Sequence, residues 1–198
     1  MTRKLIGFLA LAAAMPLLQG CFPLAVTGAG AAVLMVDDRR TAGIYIEDEN
    51  IEWKALARIR DVARTAHVNA TSYNRKVLLT GECASEEEKK RIEDAVRETS
   101  SVRDVANELQ VAGASSLASR GSDALITSNV KARLVNNGKV SPNHVKVVTE
   151  AGVVYLMGIV TEQEAADAVE VARNTGGVVK VVRIFDLCKA GDGVCPAK

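Results

Sequence analysis

The side chains in this chain that could do chemistry are few: four cysteines, at 21, 83, 188 and 195, and two histidines, at 67 and 144. Cys188 and Cys195 bound the tail segment Cys188-Lys-Ala-Gly-Asp-Gly-Val-Cys195, whose two glycines let the chain fold back on itself. In an oxidising compartment this spacing predicts a short disulfide loop. A metal held by the same thiolates would need further ligands close by, and His67 and His144 fall in other segments. Cys83 is left odd and reads as a small core residue. The sequence has no phosphate-binding loop, no G-x-S-x-G and no paired metal-ligand motif. Each histidine precedes a valine at matching places in the repeat described below. That equivalence favours a strand-entry role, since catalysis would need a nucleophile or second base within reach. No catalytic residue, no metal site and no enzymatic activity are expected.

Cys21 has a different setting. Arg3 and Lys4 precede an apolar run from Leu5 to Leu18, then Gln19-Gly20 and Cys21, so residues 1–20 have the layout of a secretory signal peptide. The run is short of the roughly 20 apolar residues that span a bilayer, so removal is expected rather than retention as an anchor. Leu18-Gln19-Gly20-Cys21 resembles the bacterial lipobox. The resemblance implies a diacylglyceryl group on the Cys21 thiol, cleavage before it and acylation of the new amine; this covalent lipid is the only cofactor-like group expected. More than one acyl chain gives durable attachment. Phe22 stands where an Asp would resemble an inner-membrane retention signal, so the expected location is the outer membrane, facing the periplasm. Residues 21–43, with Gly28 and Gly30 among small residues, read as the lipidated N-terminus and a spacer.

The elements that carry these groups come from an internal repeat, which has to be settled before any fold is proposed. Val68 to Gly81 matches Val145 to Gly158 at a constant offset of 77 positions. In each copy an alternating segment runs into a turn, Asn74-Arg75 or Ala151-Gly152, and then into a β-rich segment ending in glycine. This is a β-hairpin signal twice over. Ser85 with Glu88, and Thr161 with Glu164, then read as capping boxes that start helices. The helices carry the stripes Ile92, Ala95, Val96, Thr99 and Ala165, Ala168, Val169, Ala172. Closing strands follow over 102–111 and 178–187. Upstream, Asp48 to Ile59 and Asp123 to Leu134 are amphipathic helices matched at offset 75.

The expected fold class is therefore α+β: two tandem small α-β-β-α-β domains, each a three-stranded mixed sheet with two helices. They occupy residues 44–112 and 122–188, joined by a flexible linker over 113–121 and followed by a tail over 189–198. Each is close to the lower size limit for an independent core. About half the residues are apolar and only 4% aromatic, which fits small aliphatic cores. Loss of residues 1–20 removes Arg3 and Lys4 and no acid, taking the formal charge from +1 to −1, and no nucleic-acid partner is expected.

The hairpin ending Val-Leu-Leu-Thr-Gly81 or Val-Tyr-Leu-Met-Gly158, the capped helix and the Val-x-x-Val closing strand resemble the BON domain, present twice over nearly all of the chain beyond residue 43. With the lipobox, the resemblance implies a non-enzymatic envelope lipoprotein. It would support outer-membrane integrity, gather at division sites and bind anionic phospholipid such as phosphatidylglycerol through the second domain. The family's lipid-contacting surface lies on the first helix of that domain, here residues 122–135, where an aromatic is usual and this chain has Leu125. The lipid-binding residues so implied are Leu125, Ile126, Thr127, Ser128, Lys131 and Arg133. From spacing alone, Ile126, Val130 and Leu134 form the core stripe, Leu125 sits off it, and Lys131 and Arg133 add positive charge that suits an anionic membrane. Electrostatics distinguishes the copies: residues 45–112 hold 14 acidic and 11 basic side chains, net −3, and residues 121–187 hold 7 of each, net zero. The alternative is a scaffold for envelope proteins, using sheet edges or the groove between domains.

Overall fold

The computed structural model describes residues 38–196. The signal segment, Cys21 and most of the expected spacer lie outside the described residues. The order is α1 (Ala42–Val62), β1 (His67–Tyr73), β2 (Lys76–Cys83), α2 (Glu86–Arg97), β3 (Asp104–Asn107), β4 (Gln110–Val111), α3 (Leu117–Asn137), β5 (Val145–Glu150), β6 (Val153–Val160), α4 (Glu162–Arg173) and β7 (Lys180–Leu187). A 3-10 turn, Pro142–His144, leads into β5. In each copy the hairpin is antiparallel and the strand after the second helix returns parallel to the middle strand.

The first copy departs from three strands. Its closing strand is broken into β3 and β4, both paired with β2 in one continuous register, Lys76 with Asp104 and Glu82 with Gln110. The break falls at Glu108-Leu109, where the Leu109 amide donates to the Asn107 side chain at 3.2 Å instead of to the ladder.

Both first helices are longer than their apolar stripes indicate. Thr41 caps α1 by accepting from the Ile44 amide, and Ser116 caps α3 by accepting from the Ser119 amide, so each begins six residues before the expected aspartate. The stretch expected as flexible linker is thus helical from Leu117 onward, because a serine followed by good helix residues satisfies the orphan amides of the first turn. Thr161 and Glu164 form the full reciprocal capping box of α4. At α2 only half of it forms: Ser85 accepts from the Glu88 amide, but Glu88 reaches past it to the Ala84 amide at 2.7 Å.

Asp48 and Asp123 make an equivalent tie in the two copies. Each buried carboxylate accepts both amides of its hairpin turn: Asn74 and Arg75 for Asp48, at 2.8 and 2.7 Å, and Ala151 and Gly152 for Asp123, at 3.0 and 2.8 Å. All four turn residues have positive φ, as a two-residue primed turn requires. Gly81 and Gly158 occupy another obligatory place: a β-carbon there would overlap the carbonyl oxygen of His67 or His144. The repeated glycine and the repeated His-Val are two sides of one close approach.

Each sheet is covered by its own helices on one face only. Ile51, Ala55, Ile59, Val77, Leu79, Ile92 and Val96 build the first core, and Ile126, Val130, Leu134, Val154, Leu156, Ala168 and Ala172 the second. The opposite faces meet each other: Tyr73 and Leu78 pack with Tyr155, Met157, Ile159 and Cys195 in a third apolar cluster. This explains why β2 and β6 are buried on both sides and how two domains of marginal size share apolar burial.

Candidate functional site

The implied lipid-binding residues do not share one face of α3. Leu125 is 67% exposed, and Ser128, Lys131 and Arg133 are exposed as well. Ile126 turns inward: it is buried in the second core and packs against Gly177. Thr127 is half-buried, its hydroxyl 2.7 Å from that of Thr149. These two residues hold the helix on the sheet and leave the outward face to others. The reason is the 3.6-residue turn, which places residue 126 on the line of Val130 and Leu134.

The outward face is wider than the expected patch. Leu117 and Val135 are 82% and 58% exposed and lie on the same side as Leu125. Gly121, Ala124, Ser128 and Ala132, all exposed, fill the space between them. From Leu117 to Val135 this stripe runs about 27 Å at about 1.5 Å per residue. Lys131 and Arg133 flank it on opposite sides, and among the described residues neither forms an ion pair. Leu117 went unrecognised because its segment read as linker, and Val135 because it lies beyond the core stripe.

A second exposed patch was not anticipated from the sequence. On α1, the chain's single tryptophan, Trp53, is 71% exposed, with Ile46 two turns before it on the same side. Glu49 and Arg60 are exposed nearby on that helix. The signal was available in principle: Trp53 falls outside the Ile51, Ala55, Ile59 core stripe.

The segment preceding α1 is bound to the fold, although residues up to 43 read as spacer. Arg40 donates to Asp38 and to the buried Asp48, and its guanidinium lies 4.0 Å from the Tyr73 ring centroid. Burial opposes the Arg40 charge, yet the carboxylates of Asp38 and Asp48 raise its pKa above the ordinary value. Burial pushes the Tyr73 hydroxyl up to about 12. Arg39 reaches the second domain, where it grips Glu164 with two hydrogen bonds, at 2.6 and 3.0 Å, and donates to the Ile159 carbonyl at 2.9 Å. At the other end of the chain Cys188 and Cys195 are joined by a disulfide, and Cys195 is buried against the cluster between the sheets. Asp186 crosses between domains, meeting Asn74, Lys76 and Arg103. Burial would raise its pKa, but these three partners hold it below the ordinary range. Cys83 is buried, and burial pushes its thiol up. Among the described residues no helix is long and apolar enough to cross a membrane.

Two α-β-β-α-β units packed through their sheets define a tandem BON-domain protein. The BON domain model matches residues 47–113 and 122–187, and the chain belongs to that family. Within it the chain is DolP-like: it is 34% identical over 171 residues to the outer membrane lipoprotein DolP of Haemophilus influenzae, covering 85% of this chain and 89% of the relative. It is 31% identical over 152 residues to the 21 kDa hemolysin of Actinobacillus pleuropneumoniae, covering 75% and 78%. It is also 28% identical over 144 residues to the osmotically-inducible protein Y of Escherichia coli strain K12, covering 70% and 72%.

Proposed function

We propose that this protein is a non-enzymatic lipoprotein, attached through lipid on Cys21, that binds anionic phospholipid such as phosphatidylglycerol along the outward face of α3 and supports envelope integrity, including at division sites. Its similarity to an outer membrane lipoprotein over 85% of the chain puts it at the outer membrane. The observation that carries the lipid reading is the stripe of Leu117, Leu125 and Val135, exposed on separate turns of one helix face with small residues between. A helix of this kind lies flat in the interface, with its leucines in the acyl boundary and cations at headgroup level. Lys131 and Arg133 supply those cations, and the second domain's zero net charge offers less repulsion than the −3 of the first.

The test is sedimentation of the chain from Asp38 onward with phosphatidylglycerol and phosphatidylcholine vesicles at low salt. Binding should be selective for the anionic vesicles, and Leu125→Glu should weaken it about tenfold, through the lost apolar insertion and the added charge. Trp53→Glu should leave it unchanged. Equal losses in the two variants, or no binding by the parent chain, would overturn the assignment.

The Trp53 and Ile46 patch favours a second reading for the first domain, as a docking face for an envelope protein, since tryptophan is enriched where protein partners bind. In that case Trp53→Glu removes a partner captured by crosslinking in the envelope while vesicle binding persists.

A further inference from the structure

We propose that His67, Glu82 and Glu150 form a divalent transition-metal site that bridges the two BON domains. Two of the ligands face each other across one hairpin and the third comes from the other domain. His67 opens β1, Glu82 is its register partner on β2, and Glu150 ends β5 of the second domain. They meet where β1 of the first domain approaches β5 of the second, Asn69 on β1 bonding Glu150 across the boundary. One ligand atom from each lies within 4.8 Å of the others, and His67 Nδ1 is 2.9 Å from Glu82 Oε2. First-row divalent ions hold nitrogen and carboxylate oxygen at about 2.0–2.2 Å, with neighbouring ligands about 3 Å apart. Small side-chain rotations therefore close this set on one ion.

The surroundings are those of ligands held in place. The Ser115 amide donates to Glu82 Oε2 at 3.2 Å, and the Asn69 side chain to Glu150 Oε2 at 3.1 Å, so each carboxylate is held in orientation by a second partner. Both glutamates are buried, and two carboxylates so close repel unless a positive charge lies between them. Arg120 lines the same cavity, but its guanidinium donates to the hydroxyl and carbonyl of Ser115. Asp123, also in the lining, is committed to the Ala151 and Gly152 amides.

The fold does not require these acids. At the matching places in the other copy, 77 positions away, Glu82 is replaced by Ile159 and Glu150 by Tyr73, both part of the apolar cluster between the sheets. One imidazole with two carboxylates suits zinc, manganese or ferrous iron better than calcium, which prefers oxygen alone. The cavity beside the site, about 390 Å³, has room for waters to complete the coordination. The site holds the sheets together and performs no reaction.

The test is zinc titration of the metal-stripped full chain in detergent, read by calorimetry, by elemental analysis after gel filtration, and by thermal unfolding with and without chelator. One equivalent of zinc should bind and raise the unfolding temperature, reversibly on chelation. Glu150→Gln keeps an acceptor for Asn69 and should bind at least tenfold more weakly, as should His67→Asn. Metal-free Glu150→Gln should unfold at or above the temperature of the metal-free parent, because a repulsion has been removed. Binding that survives both substitutions, binding lost instead in Cys83→Ser, or no stoichiometric zinc would overturn the site.

Discussion

Replacing Arg39 by methionine tests whether the segment before α1 clamps the second domain. Arg39 and Glu164 have side chains only 7% and 9% exposed, and their contact at 2.6 Å joins residues 125 apart in sequence. Burial alone would raise the Glu164 carboxyl, but Arg39, with the amide and hydroxyl of Thr161, brings it from the ordinary 4.5 down to about 2. That lowering corresponds to about 3 kcal/mol, at about 1.4 kcal/mol per pH unit. The Thr161 bonds survive in Arg39→Met, so the arginine's share is smaller. The carboxylate left behind is buried without a counter-charge, which adds to the loss. A destabilisation of about 2 kcal/mol at pH 7 follows, or about 4–8 °C in unfolding temperature for a unit of this size. The sign with pH is determined by the lowered value: the stabilisation is fully present above 4.5 and is lost as pH falls toward 2. Thermal unfolding of the parent and Arg39→Met chains from Asp38 onward, followed by circular dichroism from pH 7 to pH 2, should show a gap that narrows below about 4.5 and closes near 2. A gap that stays constant over the range, or none at pH 7, refutes the clamp. Arg39→Lys should recover only part of the loss, since an ammonium cannot make the paired contact.

Gly158→Ala should cost about 3 kcal/mol or more in denaturant unfolding, because its β-carbon meets the backbone carbonyl of His144 and not a side chain that can move. Gly176→Ala, with nothing within 4 Å of the added carbon, should stay within about 0.5 kcal/mol. Ala151→Asn should stabilise by about 0.5–1 kcal/mol, since Ala151 has φ +50° and asparagine tolerates that region better; a lower denaturation midpoint would contradict the turn geometry.

Much of the fold was legible because its signals are local. Alternation marks the hairpins, Thr161 with Glu164 marks α4, and the offset of 77 positions aligns His67 with His144 and Gly81 with Gly158. On α3 the exposure pattern was legible from spacing: Leu125, off the core stripe, is exposed, and Ile126, on it, is buried, whereas the half-burial of Thr127, which the resemblance implied as a lipid contact, depends on Thr149 of the sheet beneath. The limits of α1 and α3 were missed for a related reason. Thr41 and Ser116 are ordinary polar residues until the amides they cap are helical.

The sequence by itself determined the repeat, the strand and helix order and the two helix-covered cores, since each depends on spacing over a few residues. Only the tertiary structure decided what the remaining sheet faces do. Tyr73 and Leu78 could have faced water or a partner; they face Tyr155, Met157 and Ile159. Arg39 could have been one more spacer cation, and it holds Glu164. Glu150 reaches His67 and Glu82, already partners across one hairpin, only because two sheets built independently are laid against each other. The Arg39–Glu164 contact joins residues 125 positions apart, and the bond from Asn69 to Glu150 residues 81 apart. Their energy depends on burial, and burial is a property of how the domains pack rather than of any local stretch of chain.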